Sequence, residues 1–95
     1  MNKKDMVTKV AEGMGVTKKE ASLAVDTVLD VVSDALTSGE KVSLAGFGVF
    51  ETIKRNARTC RNLQDGSPIE IPAKMAPRFR PSKAMKENVA KLPVE

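Results

Sequence analysis

Ile53-Lys54-Arg55-Asn56-Ala57-Arg58-Thr59-Cys60-Arg61, then Asn62-Leu63-Gln64-Asp65-Gly66, then Ser67-Pro68-Ile69-Glu70-Ile71-Pro72-Ala73-Lys74 decide how this chain is read. The outer segments have strand character and the middle one has turn character. Asp65-Gly66 is a strong hairpin signal, because both residues tolerate positive φ. The return segment carries Pro68, Pro72 and Pro77. Proline cannot donate to a ladder, so three of them exclude a central strand. They fit a ribbon in which both strands are edges. The pattern predicts a two-stranded arm over residues 53–77 that packs on nothing of its own. At about ten residues per strand it reaches roughly 33 Å.

All five arginines, Arg55, Arg58, Arg61, Arg78 and Arg80, lie on this arm or at its base. Residues 1–50 hold six lysines against seven acids, and residues 51–95 hold ten basic residues against five. The net charge of +4 is therefore −1 for the first half and +5 for the second. The first half reads as a balanced scaffold and the second as the side that meets a polyanion.

At 95 residues the chain is one domain. An arm removed from the packing leaves a small core, and oligomerisation is the available remedy. With no histidine and one cysteine, Cys60, a Cys/His zinc site and an internal disulfide framework are both excluded. A single free thiol fits a reducing compartment. No apolar run reaches the length of a signal peptide or membrane span, so a cytoplasmic protein is expected. His-dependent catalysis is impossible, and no glycine-rich phosphate loop is present. No catalytic residue, metal, cofactor or small-molecule substrate is expected.

Asn2 suits the N-cap of a helix starting at Lys3, with Met6, Val7, Val10, Ala11 and Met14 as its apolar stripe. Gly13 and Gly15 stop it. Thr17-Lys18-Lys19-Glu20 reads as a reciprocal capping box for a second helix, Lys18 to about Ser38. That helix carries Ala21, Ala24, Val25, Val28, Leu29, Val32, Ala35 and Leu36, with Leu23 and Val31 off the stripe. Its apolar surface exceeds what one short neighbour covers, and the surplus predicts a subunit interface. Lys41–Leu44 is a short strand, Ala45-Gly46 a turn, and Phe47-Gly48-Val49-Phe50 the start of the strand that runs into the arm. Phe47, Phe50 and Phe79 suit the sheet–helix core. Pro81-Ser82 opens a last helix, Lys83 to about Leu92, and Pro93-Val94-Glu95 is a tail.

Gly46-Phe47-Gly48-Val49-Phe50, Arg55, Arg58, Arg61-Asn62, Gly66, Ile71-Pro72, Phe79 and Lys83-Ala84-Met85-Lys86, in this order and spacing, resemble the bacterial HU and integration host factor family of histone-like DNA-bending proteins. Met1-Asn2-Lys3 and the step from Gly39 to Lys41-Val42 add to the likeness, which runs over about residues 1–91. The resemblance implies an α+β fold in an intertwined dimer. Each subunit has two N-terminal helices, a three-stranded antiparallel sheet extended into a long β-ribbon arm, and a short C-terminal helix. One domain spans 1–95, divided into a helical dimerisation part at 1–39, sheet and arm at 40–81, and the last helix at 82–92. The partners implied are double-stranded DNA and a second subunit, either the same chain or a close paralogue. The implied place of action is the bacterial cytoplasm, at the nucleoid, or the same cytoplasm for a phage-encoded protein.

The family's tip residue wedges between base pairs, and by position the wedge here is Leu63, where proline is usual. Cys60 stands in place of a usual glycine and Asp65 in place of a common threonine. Lys74 is one position off the family's late basic residue, and alternation turns it to the other face unless a bulge intervenes. Asn62 and Lys3 enter the expected DNA surface through the family pattern. From the residues themselves, Arg55, Arg58 and Arg61 recur every three positions, a spacing that a twisted ribbon can bring toward one groove. Arginine suits a narrow minor groove. Arg78, Arg80, Lys83 and Lys86 are expected to contact phosphates at the arm base. The reading is a largely sequence-independent binder that bends or compacts duplex DNA. The alternatives are a site-preferring bender like integration host factor, and a ribbon that clasps a protein by strand addition.

Overall fold

In the computed structural model, which describes residues 1–94, the elements are α1 (Lys3–Met14), α2 (Lys18–Thr37), β1 (Val42–Leu44), β2 (Gly48–Arg55), β3 (Arg58–Arg61), β4 (Pro68–Ile71), β5 (Lys74–Pro81) and α3 (Lys83–Ala90). Glu95, the last residue of the expected tail, lies outside the described residues.

Local chemistry sets the helix boundaries. Asn2 Oδ1 accepts the Asp5 amide at 2.9 Å, and the Asp5 carboxylate accepts the Asn2 amide at 3.2 Å, so α1 starts on a reciprocal box. Gly15, at φ 67°, ends it. The box expected at α2 forms by half. Thr17 Oγ1 accepts the Glu20 amide at 3.1 Å, and among the described residues the Thr17 amide makes no return bond to the Glu20 carboxylate. Ser82 Oγ accepts the Met85 amide at 3.2 Å to start α3 and donates to the Gly46 carbonyl at 3.1 Å. That hydroxyl ties the helix to the β1–β2 turn. α3 ends at Ala90, two residues before the expected Leu92, with Lys91 as its cap.

The sheet has the order β1-β2-β5 and is antiparallel throughout. β2 and β5 pair over their full length, from Gly48↔Pro81 to Arg55↔Lys74. Beyond them β3 and β4 form a separate ladder, from Arg58↔Ile71 to Arg61↔Pro68. The arm is therefore two short ladders in series rather than one ribbon. The sheet face carrying Phe50 and Phe79 holds the three phenylalanines together, with ring centroids 4.7–6.2 Å apart.

The single chain is extended. Its radius of gyration is 18.8 Å, where a compact chain of this length has about 12 Å. Among the described residues only Ala11, Ala21 and Val25 are buried apolar side chains. Leu23, Val28, Leu29 and Val31 of α2 are exposed, as are Leu44, Phe47 and Phe79. A core of three small side chains is far too little apolar burial for an independent fold.

Candidate nucleic-acid interface

Hydrogen bonds at the two ends of the arm fix the phase of each ladder. At the base, the Ser82 amide donates to the Phe47 carbonyl at 2.9 Å. Counting by twos, the bonded pairs of the inner ladder are Val49↔Arg80, Glu51↔Arg78, Ile53↔Ala76 and Arg55↔Lys74. Pro77 and Pro81 then oppose Thr52 and Gly48 in non-bonded pairs, where no N–H is needed. At the tip, the Asn62 amide donates to the Ser67 carbonyl at 2.8 Å. The bonded pairs of the outer ladder are therefore Cys60↔Ile69 and Arg58↔Ile71, and Pro68 opposes Arg61 in a non-bonded pair. The two ladders are out of phase by one residue, and Asn56–Ala57 with Pro72–Ala73 absorb the switch. No residue is inserted on either strand, so this is not a bulge.

The switch decides where the arginines go. Chain direction and chirality send the side chains of bonded pairs to one side of a ribbon. Arg80, Arg78, Lys74 and Arg55 thus share a face of the inner ladder, and Arg58 continues it on the outer one. Arg55, Arg58 and Lys74, with Ile53, Ile71 and Pro72, line one open hollow of about 540 Å³ at the junction. Arg61 belongs to a non-bonded pair and points to the reverse face from Arg58. Of the three evenly spaced arginines, Arg55 and Arg58 therefore share a ladder face with Lys74, and Arg61 lies on the other face. Lys74 lies on the same face as Arg78 and Arg80, across from Arg55.

The expected hairpin tip is present, and Asp65-Gly66 makes up its second half. Leu63–Gly66 form a four-residue loop, closed by the Gly66 amide donating to the Asn62 carbonyl at 2.8 Å. Only Gly66 takes positive φ, at 73°; Asp65 does not. Asp65 instead accepts hydrogen bonds from the Ser67 hydroxyl at 2.6 Å and the Ser67 amide at 2.8 Å, which hold its carboxyl below its ordinary value. Asn62 Oδ1 accepts the Gln64 amide at 2.9 Å, so its carbonyl side is spent on the loop. Leu63 projects from this wired loop, fully exposed.

At the arm base Arg78 and Arg80 are not free cations. Both bond to Glu51, the one buried charged residue among those described. Hydrogen bonds from Arg78, then Arg80, hold its carboxyl down at about 2. Lys3 is paired as well: its ammonium contacts Asp26 of α2, chiefly through a hydrogen bond that raises the Lys3 pKa. This pair ties α1 to α2. Lys83 and Lys86 stand exposed on α3. Sequence reasoning missed Glu51, whose partners lie 27 and 29 residues away. It also missed the phase switch, which had a legible signal. Pro68 and Pro72 are four apart, Pro77 and Pro81 are four apart, and Pro72 to Pro77 is five. An odd interval cannot keep both pairs at non-bonded positions of one ladder.

Among the described residues no group of His, Cys, Asp and Glu is placed to hold a metal ion. No described helix is long and apolar enough to cross a membrane.

A family profile described as bacterial DNA-binding protein matches residues 1–90. The SPbeta prophage-derived DNA-binding protein HU 2 of Bacillus subtilis strain 168 is 54% identical over 89 residues, covering 94% of this chain and 97% of the relative. DNA-binding protein HU 1 of the same organism is 50% identical over 90 residues, covering 95% and 98%. Among solved structures, HU of Anabaena in a cocrystal with DNA superposes with a TM-score of 0.89 at 42% identity, covering 97% of this chain and all of that one. With the three-helix, ribbon-armed architecture in hand, these matches across nearly the whole chain leave one assignment, and the protein belongs to the HU family of bacterial DNA-binding proteins.

Proposed function

We propose that two copies of this chain, or one copy and a close paralogue, grip double-stranded DNA between their arms and bend or compact it with little sequence preference. One observation carries the reading: a single arm face bears Arg80, Arg78, Lys74, Arg55 and Arg58 in order and leads to an exposed leucine at the tip. Cations track the phosphates, and arginine enters a minor groove by its width rather than by a base code. Leu63 wedges a base step and unstacks it. Residues 1–39 supply the dimer interface, 40–81 the sheet and arm, and 82–92 the last helix. The exposed apolar face of α2 supports the dimer, because a second subunit is what would bury it. Lys83 and Lys86 extend the cationic track beyond the sheet, and Arg61 meets the opposite wall of the groove. The place of action is the bacterial cytoplasm, at the nucleoid.

The test is electrophoresis on linear, nicked and four-way-junction DNA across a salt series. Affinity should fall steeply with salt, with a log–log slope of several units, and should vary little with sequence. Tight binding to one sequence over bulk DNA would move the protein to the site-preferring class. Salt-insensitive or absent DNA binding, with capture of a protein strand, would overturn the reading.

A further inference from the structure

The face that meets DNA contains an acid. Glu51 has a side chain only 10% exposed, beneath Arg78 and Arg80, whose side chains are 47% and 52% exposed. It sits there because its register partner is Arg78, and Arg80 is two residues further along the same face of β5. Oε2 accepts Arg78 Nε at 3.0 Å, the Arg78 Nη2 group, and Arg80 Nε at 3.0 Å. Oε1 accepts Arg80 Nη2 at 3.1 Å. Each guanidinium therefore gives Glu51 its side edge, made of Nε and Nη2. The opposite edge, with Nη1, makes no bond among the described residues. Two outward edges are thus held side by side over one carboxylate, and the cluster has a net charge of +1 rather than +2.

We infer that Glu51 is a positioning residue, which fixes Arg78 and Arg80 as one rigid fork that receives a backbone phosphate of the nucleic acid on its two free edges. This rests on the DNA-binding function proposed above. A simple charge argument says an acid on this face weakens DNA binding. The geometry says the reverse. Two long side chains are ordered before the ligand arrives, so their immobilisation is not charged against binding. The phosphate meets a planar double donor rather than two mobile point charges.

The two accounts give opposite signs for Glu51→Gln. The amide keeps the shape of the carboxylate but removes its charge and one acceptor oxygen. The protein becomes more cationic, so the charge argument predicts tighter binding. The positioning role predicts weaker binding, by about fivefold or more from re-ordering two arginines. The loss should be larger at high salt, where the added charge is screened. The experiment is a filter-binding titration of parent and E51Q on one linear duplex over a salt series. It is accompanied by side-chain Nε–H spectra of the free proteins. Separate, slowly exchanging Arg78 and Arg80 Nε–H signals are expected in the parent and not in E51Q. Equal or tighter binding by E51Q at every salt overturns the inference, as do unchanged Nε–H signals. If E51Q does not fold, Arg78→Lys carries the same test. It keeps the net charge but cannot give one edge to Glu51 and another to phosphate, so affinity should fall severalfold; parental affinity overturns the role. A parent that does not bind DNA refutes the proposed function, whereas a bound parent with an indifferent E51Q refutes only the role of Glu51.

Discussion

Replacing Leu63 by alanine separates bending from binding. In the free chain Leu63 touches nothing, at 102% exposure, and its loop is closed by backbone bonds and by Asn62, Asp65 and Ser67. Leu63→Ala should therefore leave the thermal midpoint where it is. In the proposed complex the side chain would pass from water into a base step. Truncation removes about three carbons, worth about 2 kcal/mol per arm at roughly 0.8 kcal/mol per buried methylene. Unstacking a step costs a few kcal/mol, so without the wedge the kink is no longer repaid. The complex then relaxes to straighter DNA rather than dissociating, because the arginine and lysine contacts remain. The expected result is a loss of affinity for linear duplex below about tenfold, with most of the bend gone, the wedge energy being largely returned as restored stacking. Ring closure of a fragment shorter than the persistence length reads the bend directly. Leu63→Pro is the companion variant. The Leu63 amide makes no backbone bond beyond regular structure among the described residues, and a rigid apolar residue at that place should still kink DNA. Equal ring-closure rates for the parent and Leu63→Ala would refute the wedge. A mutant that lost affinity and bend in the same proportion would place Leu63 among the gripping contacts instead.

The phase switch makes a prediction about coupling. In double-mutant cycles on DNA affinity, Arg55→Ala and Arg58→Ala should be non-additive by 0.5 kcal/mol or more, while Arg58→Ala and Arg61→Ala should add within about 0.5 kcal/mol; the reverse pattern would refute the assigned faces. Glu51 sets an acid limb. Its pKa is depressed from 4.5 to about 2, so the stabilisation is full above pH 4.5 and is lost as pH falls toward 2. E51Q should flatten the fall of melting temperature over that window, and parallel curves would show that the pair adds nothing to folding. Gly48→Ala places a Cβ 2.6 Å from the Arg80 carbonyl oxygen and 2.6 Å from a Phe79 ring carbon. Relief of that overlap should cost about 1–3 kcal/mol in urea unfolding, and parental stability would deny the close approach. Leu29→Asp puts a charge on the exposed apolar face of α2, and sedimentation should show dissociation to an unstable monomer; a stable dimer would move the interface elsewhere.

What the sequence disclosed follows the range of each interaction. Asn2, Gly15, Thr17 and Ser82 act within three or four residues of themselves, so both long helices and the start of the third were readable to within a residue or two. The arm was readable because proline carries its hydrogen-bonding deficit wherever it sits. The place of the tip was readable from Asp65-Gly66, but its closure was not, because that is made by Asn62 with Ser67 across the loop. Glu51 looked like one more strand residue, since nothing within five positions of it is arginine except Arg55. Its partners arrive only when β5 folds back onto β2.

The faces of the three evenly spaced arginines were not legible for a more instructive reason. A period of three has no meaning on a ladder whose side chains alternate by two, unless the ladder itself changes phase. Here it does so once, between Arg55 and Arg58, and not again between Arg58 and Arg61. The same spacing therefore brings the first two arginines together and sends the third away. The prolines on the opposite strand set this arrangement, without any of them needing to touch DNA. Pro68 and Pro72 demand one phase and Pro77 and Pro81 the other, so substitutions that keep every arginine but change the interval between Pro72 and Pro77 should redistribute the cations between the two faces. In this arm the return strand decides which cations the outgoing strand presents. The charge pattern has to be read across the ladder rather than along the chain.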